Sequence, residues 1–472
     1  ESNVLDFSSV SLIGGNFLID GADGNDSIKG SVLADTIIGG RGHDWLDGGE
    51  GGDTFWARGS NPNNQDWTTY NFEWFDDYAD SGSSGIDQIV AVGDGPVDLG
   101  LTNFSAASGI EQIVNATSDG NGGTALVTLL NSWESNLLDF SQVSLIGGNF
   151  VIDGGDGNDS IKGSILADTI IGGRGRDWLD GGEEGDTFWA RGSNPNNPDW
   201  ASYNFEWFDD YADSGSSGID QIVAVGDGPV DLGLTNFSAT SGIEQIVNAT
   251  SDGNGGTALV TLLNSWESNL LDFSEISLIG GNFVINAADG NDTVKGSALA
   301  DTIRGGRGDD RLDGGQGADT YWVSGSNPYN QDWSSYDFEG FDGYADSGSG
   351  GVDEIVAIGD GPVDLGLADF GPGSGIERIV NATSNGSGGT ALVRLLSNWT
   401  GTLLDFSTVS LIGGNVLIDG GDGNDTIKGS VLADTILGGR GDDLLDGGQG
   451  ADTYWVSGAG PAWVSGVPYT FE

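Results

Sequence analysis

The chain has 472 residues, 85 of them glycine and 15 tryptophan, with no cysteine or methionine. Seventy-two acids against 15 bases leave a formal net charge of −57, which excludes a nucleic-acid partner because no basic face could meet phosphates. The missing cysteines exclude disulfides and thiolate metal sites, and no apolar run reaches the ~18 residues that cross a membrane as a helix.

Acidity on this scale opposes compaction by self-repulsion. Bound divalent cations would relieve it; a salt-adapted acidic surface is the plainer alternative. A hydrophobic content of 37% with 9% aromatics argues for a packed chain despite the glycine. The chain opens at Glu1 without an initiator methionine, which reads as a processed start.

From the first residues a long period is visible. Leu5-Asp6-Phe7-Ser8 returns at Leu138, Leu271 and Leu404, 133 residues apart each time. Within each unit runs a shorter beat of nine: Ser9-Val10-Ser11, Leu18-Ile19-Asp20, Ser27-Ile28-Lys29, Thr36-Ile37-Ile38, Trp45-Leu46-Asp47 and Thr54-Phe55-Trp56. The central residue is always apolar, and most triplets are separated by glycine turns. The pattern predicts three-residue strands wound into a coil, two nonapeptides per circuit, with parallel strands stacking at ~4.8 Å.

After Trp56 the beat lapses. A polar loop, Ser60 to Trp67, leads into the aromatic and acidic stretch Tyr70 to Tyr78. Strand-like runs follow at Gln88–Val92, Gln112–Asn115 and Ala125–Leu130, divided by Gly93-Asp94-Gly95-Pro96 and Asp119-Gly120-Asn121-Gly122-Gly123. This reads as the same solenoid with wider coils; a separate small β-domain is the alternative. The expected fold is all-β, a parallel β-roll or β-helix solenoid with calcium-binding glycine-rich turns and tandem 133-residue repeats. Its roll blocks are 1–57, 134–190, 267–323 and 400–457. The wide-coil blocks are 58–133, 191–266 and 324–399, and 458–472 is a tail that would cap the roll or donate a strand.

The glycine turns carry the chemistry. Calcium takes six to eight oxygens at ~2.3–2.6 Å, and a turn without Cβ atoms can aim several carbonyls and one carboxylate at a point. Turns on one edge are 18 residues apart, so Asp26 pairs with Asp44 and, on the other edge, Asp35 with Asp53. The later units repeat this as Asp159/Asp177 and Asp168/Asp186, Asp292/Asp310 and Asp301/Asp319, and Asp425/Asp443 and Asp434/Asp452. Asp23, Asp156, Asp289 and Asp422 offer an extra oxygen in the first turn of each set. The complete turns read Gly-Gly-x-Gly-x-Asp, as in Gly48 to Asp53; the turn Gly30-Ser31-Val32-Leu33-Ala34-Asp35 lacks glycine at the second and fourth positions, so sites built on Asp35 and its equivalents are expected to be weak or empty. A second acidic group, Asp76, Asp77, Asp80, Asp87, Asp94 and Asp98, would either bind cations or serve as turn and cap residues.

Trp45, Trp56, Trp67, Trp74 and Trp133 read more readily as core or cap material than as a sugar-stacking surface. Trp45 becomes Arg311 and Leu444 in later units, which points it outward. The sequons at Asn115, Asn248 and Asn381 read as fortuitous.

These turns resemble the RTX family of hemolysin-type calcium-binding repeats, most closely at 21–56, 154–189, 287–322 and 420–455. The resemblance implies a parallel β-roll, several bound Ca²⁺ ions, folding outside the cell or at its surface, and often type I secretion. The short stretch after Trp455 departs from the family's longer secretion region. Such repeats also accompany enzymes, yet the chain has a single histidine, His43, no His-Glu-x-x-His and no Gly-x-Ser-x-Gly. A non-enzymatic extracellular subunit of a filament, surface layer or matrix, self-associating head to tail, is therefore expected. An adhesin stalk that binds cell-surface glycans through its aromatic loops is the alternative.

Overall fold

A three-residue strand with one apolar centre has one side chain to bury, because neighbours on a strand point to opposite faces. The computed structural model describes every residue except 14–16, 59–72, 133, 192–205, 216, 325–339, 349, 399 and 456–472, and the side chains of 73, 74, 206 and 207. In it Ile19, Ile28, Ile37, Leu46 and Phe55 all point inward and are at most 6% exposed. Each such burial is worth ~1.5–3 kcal/mol, so the core is a stack of identical small contributions.

Contacts divide the chain into two compact units, Glu1–Leu232 with Thr240–Ala258, and Gly233–Ala239 with Leu259–Glu472. In the first unit, one parallel sheet of the first roll stacks Val4–Asp6, Ser27–Lys29 and Trp45–Asp47, and the facing sheet stacks Leu18–Asp20, Thr36–Ile38 and Thr54–Arg58. Register follows the nine-residue beat, with Ile28 on Leu46 and Ile37 on Phe55. The beat starts one step later than expected: Ser9-Val10-Ser11 is not a strand, and Val10 is exposed. The equivalent strand in the second repeat is Ser144–Ile146, two residues further along than the nine-residue count places it.

The wide coil continues both sheets. Glu73–Ala79 stacks on Trp45–Asp47, then Val97–Leu101 and Val127–Asn131 follow. Gln88–Asp94 stacks on Thr54–Arg58, and Gln112–Ser118 on Gln88–Asp94. Glu73–Ala79 was hidden in the sequence by its acids and aromatics. Tyr78 nonetheless packs edge-on against Phe55 at 5.7 Å. A third side opens where Phe104 bridges to Leu138, with Phe104 and Phe140 packed at 5.5 Å in the corner.

That third side changes the path of the solenoid. The circuit after Val127–Asn131 has three strands, Leu137–Asp139, Ser144–Ile146 and Phe150–Asp153. Phe150–Asp153 carries the first sheet onward into Thr169–Ile171 and Thr187–Arg191. Leu137–Asp139 starts a new sheet under Ser160–Lys162 and Arg176–Asp180, while the facing sheet of the first roll stops at Ser144–Ile146. The second roll thus reuses one sheet of the first and exchanges the other. The second unit repeats the exchange: Val393–Ser397 pairs with Val416–Asp419, Leu403–Asp405 starts a new sheet under Thr426–Lys428, and Ser410–Ile412 ends the old one.

Candidate metal centres

The turns stack as tightly as the strands. Arg41 donates its N–H to the carbonyl of Ala22, and Gly24 to the carbonyl of Arg41, both at 2.7 Å. Gly42, at φ +143°, lies directly against the Gly24 carbonyl one coil below, where any Cβ would collide. Gly39 is glycine for a different reason: a Cβ there would stand 2.5 Å from Oδ2 of its own turn's Asp44. The glycine at the motif's first position therefore leaves room for the carboxylate, and the one at its fourth position leaves room for the neighbouring coil.

Each aspartate closes on the coil before it. Asn3 N–H donates to Asp26 Oδ1 at 2.6 Å, Asp26 N–H to Asp44 Oδ1 at 2.7 Å, and Asp44 N–H to Asp76 Oδ1 at 2.9 Å. On the other edge Asp35 N–H donates to Asp53 at 2.7 Å, Asp53 N–H to Asp87 at 2.6 Å, and Asp87 N–H to Glu111 Oε2 at 2.8 Å. The structure brings together every 18-residue pair named above; the links Asp159–Asp177, Asp168–Asp186, Asp292–Asp310, Asp301–Asp319, Asp425–Asp443 and Asp434–Asp452 run from 2.7 to 3.0 Å. In the fourth roll Asp443 and Asp452 are half-buried.

The ladder uses only one oxygen of each carboxylate. Oδ2 of Asp26, Asp44, Asp53, Asp159, Asp177, Asp186, Asp292, Asp310, Asp319 and Asp425 is buried with no hydrogen-bond partner. A buried anionic oxygen without a donor is expensive, and it is the hard ligand calcium takes. The donor set therefore fits the ion. The charge has nowhere else to go: burial pushes Asp159 and Asp292 up to about 7, with repulsion from Asp177 and Asp310 adding to it.

The incomplete turns behave differently. Asp35 Oδ2 accepts the Ser31 N–H at 2.5 Å, and Asp168, Asp301 and Asp434 accept from Ser164, Ser297 and Ser430 at 2.6 to 2.8 Å. There a serine of the same turn satisfies the oxygen that is orphaned elsewhere. Asp156, Asp289 and Asp422 are also not orphans: each faces an arginine, Arg174, Arg307 or Arg440, at 3.4 to 3.5 Å near the surface. Asp23 bridges Arg41 through the backbone at the same place.

Of the second acidic group, Asp76 and Asp87 join opposite ladders, Asp80 lies beside Asp87, and Asp77 and Asp94 are exposed. Asp98 is half-buried on Val97–Leu101. The sequence did carry a signal for Asp87: Gly82-Ser83-Ser84-Gly85-Ile86-Asp87 keeps the aspartate of the motif and the glycines at its first and fourth positions. Glu111 had no such signal. Trp45 and its counterpart Trp178 are 41% and 42% exposed, and Trp56 is half-buried. Trp67, Trp133, the side chain of Trp74, the loop 60–67 and the tail 458–472 lie outside the described residues. The sequon residue Asn115 is structural: its Nδ2 donates to the carbonyls of Ala125 and Gly148, each at 2.9 Å.

A two-sided parallel roll, nine residues per side, with buried carboxylates stacked at both edges, defines a β-roll protein with candidate cation sites along its turns. Comparison with protein families places it further. The model of the RTX calcium-binding nonapeptide repeat matches in four copies, at residues 20–55, 153–188, 286–321 and, in two overlapping pieces, 413–431 and 428–458. The chain carries RTX calcium-binding nonapeptide repeats over those segments, and the wide coils between them lie outside the match. No curated protein matches the chain. Among the described residues no helix is long and apolar enough to cross a membrane.

Proposed function

We propose that this chain is a calcium-stabilised extracellular structural protein, a subunit of a filament, surface layer or matrix assembled head to tail. The observation that carries this reading is the way one repeat receives the next. Within each compact unit the wide coil passes into the following roll by unbroken parallel pairing, Val127 on Phe150 and Val393 on Val416. Repeats can therefore be added along one direction without a linker, and one molecule can extend another by the same pairing. The extracellular placement is supported by the repeat family, whose members are typically secreted or surface-associated.

Calcium is the folding ligand in this reading. Stacking brings the carboxylates of successive coils together, and the ions between them offset their mutual repulsion. Fifteen bases cannot neutralise 72 acids.

Negative-stain microscopy of the purified protein, with calcium and after chelation, tests the assembly. Regular filaments or sheets with calcium, dispersed by chelation, are expected. Stable monomers at all calcium concentrations would reject it. If those monomers also bound a glycan array and lost binding on Trp45→Ala with Trp178→Ala, the adhesin reading would replace it.

A further inference from the structure

Where the first roll gives way to the wide coil, the edge carrying Asp35 and Asp53 gains two more acids. The turn Gly82 to Asp87 stacks on Gly48 to Asp53, with Gly51 N–H donating to the Ser84 carbonyl at 3.2 Å and Asp53 N–H to Asp87 Oδ1 at 2.6 Å. Asp80 follows directly on the strand Glu73–Ala79 and approaches from the other sheet. One carboxylate oxygen from each of Asp53, Asp80 and Asp87 lies within 4.8 Å of the other two. Asp186, Asp213 and Asp220 form the same cluster at the next junction.

Three features separate this cluster from an ordinary acidic surface. Asp53 and Asp186 are 0% exposed, and Asp87 and Asp220 are 3% exposed. Oδ2 of Asp53 and Asp186, and Oδ1 of Asp80 and Asp213, are buried without a hydrogen-bond partner. The nearby cation is committed elsewhere: Lys29 Nζ bonds Asp47 Oδ2 at 2.7 Å and Ser81 Oγ at 2.9 Å, and Lys162 bonds Asp180 and Ser214 in the same way.

We infer that the first two roll-to-coil junctions each hold a calcium ion, ligated by Asp53, Asp80 and Asp87 in the first repeat and by Asp186, Asp213 and Asp220 in the second. Two oxygens bound to one calcium at about 2.4 Å can be at most about 4.8 Å apart, so the observed spread admits a shared ion without rearrangement. The ligands are all oxygen, which favours calcium over zinc. Glu111 accepts the Asp87 N–H at Oε2 and is not one of the three. The site differs from the stacked-turn pairs because one ligand, Asp80, comes from no nonapeptide and reaches in from the other sheet. It explains why this edge keeps its acids although the Asp35 turn satisfies its own carboxylate. The ion would tie the two sheets together where the coil widens. The inference shares calcium with the function proposed above but does not depend on the assembly.

Calcium bound per full-length chain, measured by equilibrium dialysis, tests it. Asp80→Asn combined with Asp213→Asn is expected to lower the count by two ions and to leave the β signal at saturating calcium unchanged. Asp94→Asn combined with Asp227→Asn, which removes two exposed charges at the far ends of the strands that follow Asp87 and Asp220, should not change the count. An unchanged count in the first variant overturns the inference. If that variant does not fold, anomalous scattering from crystals of the unmodified protein grown with calcium decides. Peaks among Asp53, Asp80 and Asp87 support the site. Peaks between Asp26 and Asp44 with none at the junction overturn it while leaving the stacked-turn reading intact; no peaks anywhere overturn both.

Discussion

Asp26 donates its backbone N–H to Oδ1 of Asp44, 2.7 Å away on the next coil, while Oδ2 of both residues is buried without a partner. One carboxylate thus does two separable things. Its first oxygen holds the coils together, and its second is left for a cation.

This separation predicts different outcomes for two substitutions at one position. Asp44→Asn keeps an oxygen for the Asp26 N–H and removes the buried charge. It should leave calcium-free stability unchanged or raised and lose most of the stabilisation that calcium adds. Asp44→Ala also strands the Asp26 N–H, at a cost of ~1–3 kcal/mol in both conditions. Thermal unfolding with and without calcium distinguishes them; identical behaviour of the two variants would contradict the division of roles.

Asp35 should be less sensitive. Its Oδ2 is already satisfied by the Ser31 N–H at 2.5 Å. Asp35→Asn is expected to leave the number of bound calcium ions unchanged by calorimetric titration, whereas Asp26→Asn should reduce it.

Calcium-free protein should respond to pH against the usual direction for aspartates. Burial, helped by neighbouring carboxylates, pushes Asp53 and Asp319 up to about 7 and Asp186 up to about 8, from a reference of 3.8. Between the reference value and the raised one the folded chain binds more protons than the unfolded chain, so stability falls as pH rises. Each group contributes up to about 1.4 kcal/mol per pH unit inside that window. Calcium-stripped protein should therefore gain β signal in circular dichroism as pH drops from about 8 to about 5. Calcium-loaded protein should release ions over the same range, because protons compete for the same oxygens. A calcium-free signal that is flat with pH would contradict the raised values.

The glycines should divide into two groups. Gly42 has φ +143° and faces the Gly24 carbonyl, so Gly42→Ala is expected to destabilise by about 3 kcal/mol. Gly120, at φ +75° with nothing within 4 Å of a built Cβ, should lose only about 1 kcal/mol on the same change. Denaturant midpoints in saturating calcium make the comparison; equal losses would show that coil contact does not limit the turn.

The nine-residue beat was legible from sequence because it is local. The central residue of every triplet is apolar and faces one side of its strand, so Ile28, Ile37 and Leu46 point inward in any coil of that period. The 18-residue pairing of Asp26 with Asp44 follows from two sides per circuit and needs no further information. That the Asp35 turn differs from the complete ones was also visible in its missing glycines, but the Ser31 bond was not, since it depends on the path of the turn.

The tertiary structure alone decided what happens where the beat lapses. Asp87 stacks 34 residues beyond Asp53, and Glu111 a further 24, because the intervening chain leaves and returns to the same edge. No sequence period marks such a return. The exchange of one sheet for another at Leu137–Asp139 is equally silent, since a strand's partner depends on which earlier strand edge is still open when it arrives. Sequence determined the rolls, where each contact lies one fixed step away; only folding in three dimensions determined the wide coils and their junctions, where contacts depend on how much chain loops out between them.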